Sequence, residues 1–141
     1  MEAMRTLLTE DFVQKHPAGD TQGPEGMVEF VLSWPQGFDG IRHQHVSILT
    51  QGTGENEARA LSYILVIKVA VTERAPNTGL PTFIGHGLVI DDLKREGDRW
   101  KVRQRVYEQF RVSEDFLPDA ADRERFALTT TQRTGDRRLG I

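Results

Sequence analysis

The chain has 141 residues, 38% hydrophobic and 28% charged, which is most simply one globular domain large enough for a self-sufficient core. Its net charge of −3, from 18 basic and 21 acidic residues, gives no basic surface for nucleic acid, and the absence of cysteine removes disulfide scaffolds, thiolate chemistry and cysteine-ligated zinc. No segment is apolar for long enough to cross a bilayer, and the acidic Met1–Asp11 stretch does not read as a signal peptide, so a cytoplasmic protein without a membrane partner is expected.

In chain order, Leu7, Leu8 and Phe12 predict a short amphipathic helix over Met4–Phe12, with Thr9-Glu10-Asp11 marking its end. His16-Pro17-Ala18-Gly19-Asp20 is a loop. Pro24 starts a second helix, with Glu25 in the first turn where a negative charge suits the helix dipole. Met27, Val28, Phe30, Val31 and Trp34 follow at helical spacing until Pro35-Gln36-Gly37 stops the run.

From Ile41 the pattern becomes extended. Ile41–Thr50 is a first long strand, followed by a turn at Gly52–Asn56. Ala58–Thr72 is a second, apolar on both faces at its centre and hence central in the sheet. Ala75–Pro81 is a loop, Phe83–Arg95 a third strand, Glu96-Gly97-Asp98 a tight turn and Arg99–Val112 a fourth strand. On that last strand strict alternation puts Trp100, Val102 and Val106 on one face, and Lys101, Arg103, Arg105 and Tyr107 on the other. Asp119–Phe126 predicts a short helix, and Thr129–Ile141 a mobile tail. The fold class is therefore α+β, a twisted, mainly antiparallel sheet folded over short helices.

Two polar patterns interrupt the apolar strands. His43, His45 and Ser47 share one face of the first, and an aspartate pair, Asp91-Asp92, follows an apolar and glycine run in the third. A carboxylate near an imidazole is tolerated in an apolar strand where it serves acid–base chemistry. His43 is thus a candidate acid–base group, and Asp91 a candidate orienter or base. Each also has a structural reading: His43 as a hydrogen-bonded packing residue, Asp91 as a partner of Arg103 or Arg105. Two histidines two residues apart lack a third ligand at a clear spacing, so no metal is expected. His86, between Gly85 and Gly87, has small neighbours that leave room for a ligand, and Tyr63 could donate to an oxyanion. Trp34 and Phe38 are core or cavity wall. His16 reads as a surface loop residue, and the arginines at 103, 105 and 111 as a solvated or dimer-facing surface.

Leu7-Leu8-Thr9-Glu10-Asp11-Phe12-Val13, Gly23-Pro24-Glu25-Gly26-Met27-Val28-Glu29-Phe30, Arg42-His43, Asp91-Asp92-Leu93-Lys94-Arg95 and Gly97-Asp98-Arg99-Trp100-Lys101-Val102 occur in the order of a known family. By these motifs residues 4 to 112 resemble a SnoaL-like member of the nuclear transport factor 2-like superfamily, which includes scytalone dehydratases and polyketide cyclases. The resemblance implies a cone-shaped sheet around a single pocket, in a domain over 1–112 whose first helix is shortened, with a C-terminal extension over 113–141. Those dehydratases pair a strand histidine with an aspartate or a second histidine across the pocket, and the resemblance matches His43 to the strand histidine and Asp91 to the aspartate. It implies cofactor-free isomerase, cyclase or dehydratase chemistry on a small, largely apolar, oxygenated ligand, with His45, Tyr63, His86, Trp34 and Phe38 around it, in a homodimer formed through the sheet. Non-catalytic ligand binding and a dimeric interaction module are the alternatives within the same fold. The shortened first helix leaves core to be covered, and Phe116, Leu117 and Phe126 are the anchors expected to help cover it.

Overall fold

The computed structural model describes residues 1–33, 40–69, 80–117, 119–128 and 132, apart from the side chains at 122 and 125. Trp34, Phe38, the 70–72 end predicted for the second long strand and, residue 132 excepted, the 129–141 tail lie outside the described residues. The elements are α1 (Glu2–Thr6), β1 (Leu8–Lys15), β2 (Thr21–Gln22), α2 (Gly23–Leu32), β3 (Ile41–Gly54), β4 (Glu57–Lys68), β5 (Thr82–Glu96), β6 (Arg99–Val112), a 3₁₀ turn (Glu114–Phe116) and α3 (Ala120–Ala127). One six-stranded sheet runs in the order β2-β1-β6-β5-β4-β3. Every pairing is antiparallel except that of β1 with β6.

This is the α+β curved sheet that the sequence predicts, with one substitution of element type. The expected helix over Met4–Phe12 is instead a five-residue helix followed by an eight-residue strand. Thr9, Phe12 and Val13 are β-branched or aromatic and favour extended backbone, and pairing with β6 then satisfies the backbone groups of β1. Along the second half of β1 the burial alternates, with Phe12 and Gln14 inward. Pro24 occupies the first turn of α2 as expected, and Glu25 there accepts two hydrogen bonds from Arg5 at 2.6 and 2.9 Å, which ties α1 to α2.

β4 is an interior strand, but only one of its faces is fully buried. Ser62, Ile64 and Val66 are buried on the inner face, while Tyr63 on the outer face is 51% exposed. Its neighbour β3 forms the sheet edge and exposes Val46 and Leu49. The core comprises Ile64, Val66, Ile84, Val89, Tyr107 and Phe110 from the sheet, closed by Leu117 and Phe126 from the C-terminal segment. Arg111 donates to the Phe126 carbonyl and Arg123 to the Leu117 carbonyl, each at 2.8 Å, so this segment is fastened at both of its buried anchors.

β6 lies close against β5 at Gly85-His86-Gly87. A Cβ at Gly87 would lie 2.7 Å from Phe110 Cδ2 and 2.8 Å from Phe110 Cα, and one at Gly85 would lie 2.3 Å from the Arg111 carbonyl oxygen. The strand pairing slips by one residue here, and Gln109 takes φ of 48°, the signature of a bulge in β6. The space beside His86 is therefore filled by β6, which corrects the expectation that these glycines leave room for a ligand.

Gly87→Ala should accordingly destabilise the protein by about 1–3 kcal/mol through overpacking against Phe110. Gly52→Ala, where a Cβ meets nothing within 4 Å, should change stability by less than about 0.5 kcal/mol. Urea denaturation of the two variants beside the parent chain checks the contrast.

Candidate active site

A cavity of about 450 Å³ opens between the inner face of the sheet, helices α1 and α2, and the C-terminal segment. Its wall is mostly apolar, with Phe12, Phe30, Val66, Ile84, Phe110 and Phe126 among the lining residues. Among the described residues, five nitrogen- or oxygen-bearing side chains interrupt that wall: Gln14, His16, His43, Arg105 and Tyr107. An apolar chamber with a few convergent polar groups has the general character of a small-molecule site.

Arg105 and Tyr107 reach the cavity because of a second irregularity in β6. Leu93 pairs with Val102 but Asp92 pairs with Gln104, so Arg103 is the extra residue of a bulge. The slip breaks the alternation expected from the sequence, and Val102, Arg105 and Tyr107 all line the cavity. It also brings Arg105 opposite Asp91. Arg105 Nε and Nη2 donate to the two carboxylate oxygens of Asp91 at 2.7 and 2.8 Å, a bidentate ion pair. Asp91 is only 9% exposed. Burial alone would lower the Arg105 pKa, but the hydrogen bonds and charge of Asp91, with the Tyr107 hydroxyl as a further hydrogen-bond partner, outweigh it and hold the guanidinium firmly charged. Tyr107 is pushed up by burial, against the opposing effect of Arg105, and so stays a neutral phenol.

His43 stands across the cavity on β3, paired in register with Val66. It is a rim residue that solvent reaches, yet the surrounding protein withdraws enough water to lower its pKa, and the positive charges of His45 and Arg105 act in the same direction. At neutral pH it is therefore a neutral imidazole able to accept a proton. His45, two residues on, has its Nδ1 at 2.8 Å from Ser62 Oγ. Its pKa is lowered by burial and by Arg105, with Asp91 pulling weakly the other way.

His16 is not a surface loop residue. It is 5% exposed, and its ring packs edge-on against Tyr107 with centroids 4.5 Å apart, with Phe30, Phe110 and Phe126 also around it. Its Nδ1 accepts the Ala18 backbone N–H at 3.0 Å, which requires that nitrogen to be unprotonated and leaves the hydrogen on Nε2.

The sequence-predicted residues separate accordingly. His43 lines the cavity. Asp91 lies on the same inner face, but both its carboxylate oxygens are taken by Arg105, and no hydrogen bond joins it to His43 among the described residues. The expected histidine–aspartate pair is therefore replaced by an aspartate–arginine pair. His45 is held by Ser62 beside the cavity lining. Tyr63 and His86 belong to the outer face: Tyr63 pairs with Val46 and Leu88, and His86 stacks on Phe83 with centroids 6.3 Å apart. Neither lines the cavity, because alternation from Ser62, Ile64 and Val66 sends Tyr63 outward, as it does His86 from Gly85 and Gly87. Arg105 is a cavity residue and not part of a solvated surface, whereas Arg103 pairs with Glu57 at 3.0 Å. Gln14 went unnoticed because β1 read as helix; an extended reading of Phe12-Val13-Gln14 would have turned it inward with Phe12. Among the described residues no three metal-ligating side chains cluster.

A sequence profile of the SnoaL-like domain matches residues 1–106. No curated protein matches the chain. Among solved structures, ActVI-ORFA from Streptomyces coelicolor is 23% identical over 73% of this chain and 77% of its own, with a TM-score of 0.62. A protein provisionally described as a scytalone dehydratase, from Novosphingobium aromaticivorans, is 20% identical over 79% of this chain and 70% of its own, with a TM-score of 0.56. A cystatin-like-fold protein of unknown function from Nostoc punctiforme is 21% identical over 79% and 75% of the two chains, with a TM-score of 0.62. At these identities the likeness establishes the fold alone.

The ion pair predicts an asymmetry that denaturation can measure. Asp91→Leu alone strands the Arg105 charge and should cost up to about 3 kcal/mol. Adding Arg105→Met to it should recover much of that loss, since an apolar pair of similar volume needs no counter-ion.

Proposed function

The chain belongs to the SnoaL-like domain family, and from that premise we propose that it is a cofactor-free acid–base catalyst acting on a small cyclic, oxygenated, largely apolar metabolite. The observation that carries the reading is an imidazole biased toward its neutral form, His43, lining the same apolar cavity as a guanidinium held charged by its carboxylate partner. A ketone or enone of the polyketide or terpenoid kind suits such a chamber.

In this reading His43 takes a proton from the carbon next to a carbonyl. The electron pair of the broken C–H bond moves onto the carbonyl oxygen, and the resulting enolate lies toward Arg105 and Tyr107, whose dipole and charge stabilise it. Returning the proton to a different carbon gives isomerisation. Expelling a β-hydroxyl, which leaves as water with the proton from His43, gives dehydration. Attack of the enolate carbon on a second carbonyl gives cyclisation, the proton going to the new alkoxide. Asp91 acts as the positioning residue that keeps Arg105 charged and aimed, and not as a base, because both of its oxygens are engaged. That same engagement favours the second reading, a ligand-binding protein without turnover, since it removes the partner that would orient His43.

Turnover of a panel of cyclic hydroxy-ketones decides between them. In a catalyst, His43→Ala should lower kcat by about 10²-fold or more while the fold persists. The pH profile of kcat/KM should have an acid limb centred below the ordinary imidazole value of about 6.5, because His43 must be neutral to act and its environment disfavours the cation. Turnover that is unchanged in a folded His43→Ala protein would remove this residue from the mechanism.

A further inference from the structure

Gln14 is 1% exposed and lines the cavity, yet neither its Nε2 nor its Oε1 has a hydrogen-bond partner among the described residues. A buried carboxamide with both ends unpaired is costly to keep, whereas an apolar residue of the same size at that position would carry no such penalty. The remaining polar residues around the chamber do not resemble it. Both carboxylate oxygens of Asp91 are taken by Arg105, His16 is fixed through Nδ1, and His45 is held by Ser62. Gln14 is a buried cavity-lining side chain whose hydrogen-bonding capacity the described residues leave unused, and it sits in register beside Arg105 on the parallel β1–β6 pair.

We infer that Gln14 is a specificity-determining residue, and that the ligand presents to it a neutral edge carrying a hydrogen-bond donor and an acceptor on neighbouring positions, as a lactam or a protonated carboxylic acid does. The chemistry follows from the carboxamide. Its N–H needs an acceptor and its oxygen needs a donor, whichever way the amide is turned. A ketone without a neighbouring hydroxyl leaves the oxygen unpaired, and a cation leaves the N–H unpaired. A carboxylate would set a negative charge against the amide oxygen and offer it no donor. A single hydroxyl cannot reach both amide atoms with good geometry. A planar donor–acceptor edge meets both at once in a ring of two hydrogen bonds. The inference rests on the cavity being the ligand site of the proposed function, but it requires no turnover.

The test uses carbostyril, a bicyclic lactam with that edge, and N-methylcarbostyril, which lacks the donor, titrated calorimetrically into the full-length protein. The wild type should bind carbostyril about tenfold more tightly. Gln14→Leu, which keeps the bulk and loses both polar atoms, should bind the two probes within about twofold and should melt no lower than the wild type. If Gln14→Leu does not fold, Gln14→Met carries the same comparison. A wild type that binds neither probe, or binds both equally, overturns the inference. So does a preference that survives in the variant, which would trace it to the methyl group's size. Because binding alone is read, a catalytically silent His43→Ala result would overturn the acid–base reading and leave this one standing, while a wild type that does not discriminate between the probes would do the reverse.

Discussion

The site depends on one electrostatic problem, which is how to keep a guanidinium in an apolar cavity. A charge withdrawn from water without a partner costs several kcal/mol, more than a domain of this size can usually spare. Asp91 meets that cost with two short hydrogen bonds to Arg105. The partners lie on adjacent strands and become cross-strand neighbours only because β6 carries an extra residue at Arg103. The bulge is therefore part of the site's construction: it re-aims two side chains and brings their charges together in one step.

Burial and that pair together set the electrostatics of the rest of the cavity. Withdrawal from water is the main reason both His43 and His45 resist protonation, and Arg105 adds to it, so two histidines that could have been cations are biased toward neutral bases. Asp91 moderates this at His45. Tyr107 stays a phenol because burial outweighs the guanidinium beside it. The cavity thus combines one held positive charge, neutral imidazoles and a neutral phenol, a set that can take up a proton on one side and stabilise an oxyanion on another.

Packing serves the same end. Gly85 and Gly87 let β6 press against β5, and Phe110 fills the space that a side chain at Gly87 would occupy. From there Phe110 joins Tyr107 and Phe126 around His16. The C-terminal segment contributes Leu117 and Phe126 to the core and Phe116 and Phe126 to the cavity wall, so it closes the chamber that a five-residue α1 is too short to enclose.

By itself the sequence determined what local chemistry can determine. Hydrophobic alternation and turn residues gave the long strands, with Arg99–Val112 correct at both ends. Pro24 gave the start of α2, and the ordered motifs gave the family. His43 was legible as an inward polar group on a strand. The short β1 was not, because Leu7, Leu8 and Phe12 also suit a helix, and the hydrogen bonds of β6 decide the matter; with β1 went Gln14. Nor was the Asp91–Arg105 pair, since an unbroken hairpin register from Gly97-Asp98 would set Asp91 opposite Gln104. A one-residue slip is a response of backbone to packing and charge across two strands, and no local propensity encodes it. Tyr63 and His86 were assigned to the site by residue type, and only the assembled sheet, by fixing which face turns inward, assigned them to the outside. Residue chemistry and period are properties of a segment, whereas register and facing are set by contacts between segments distant in the chain.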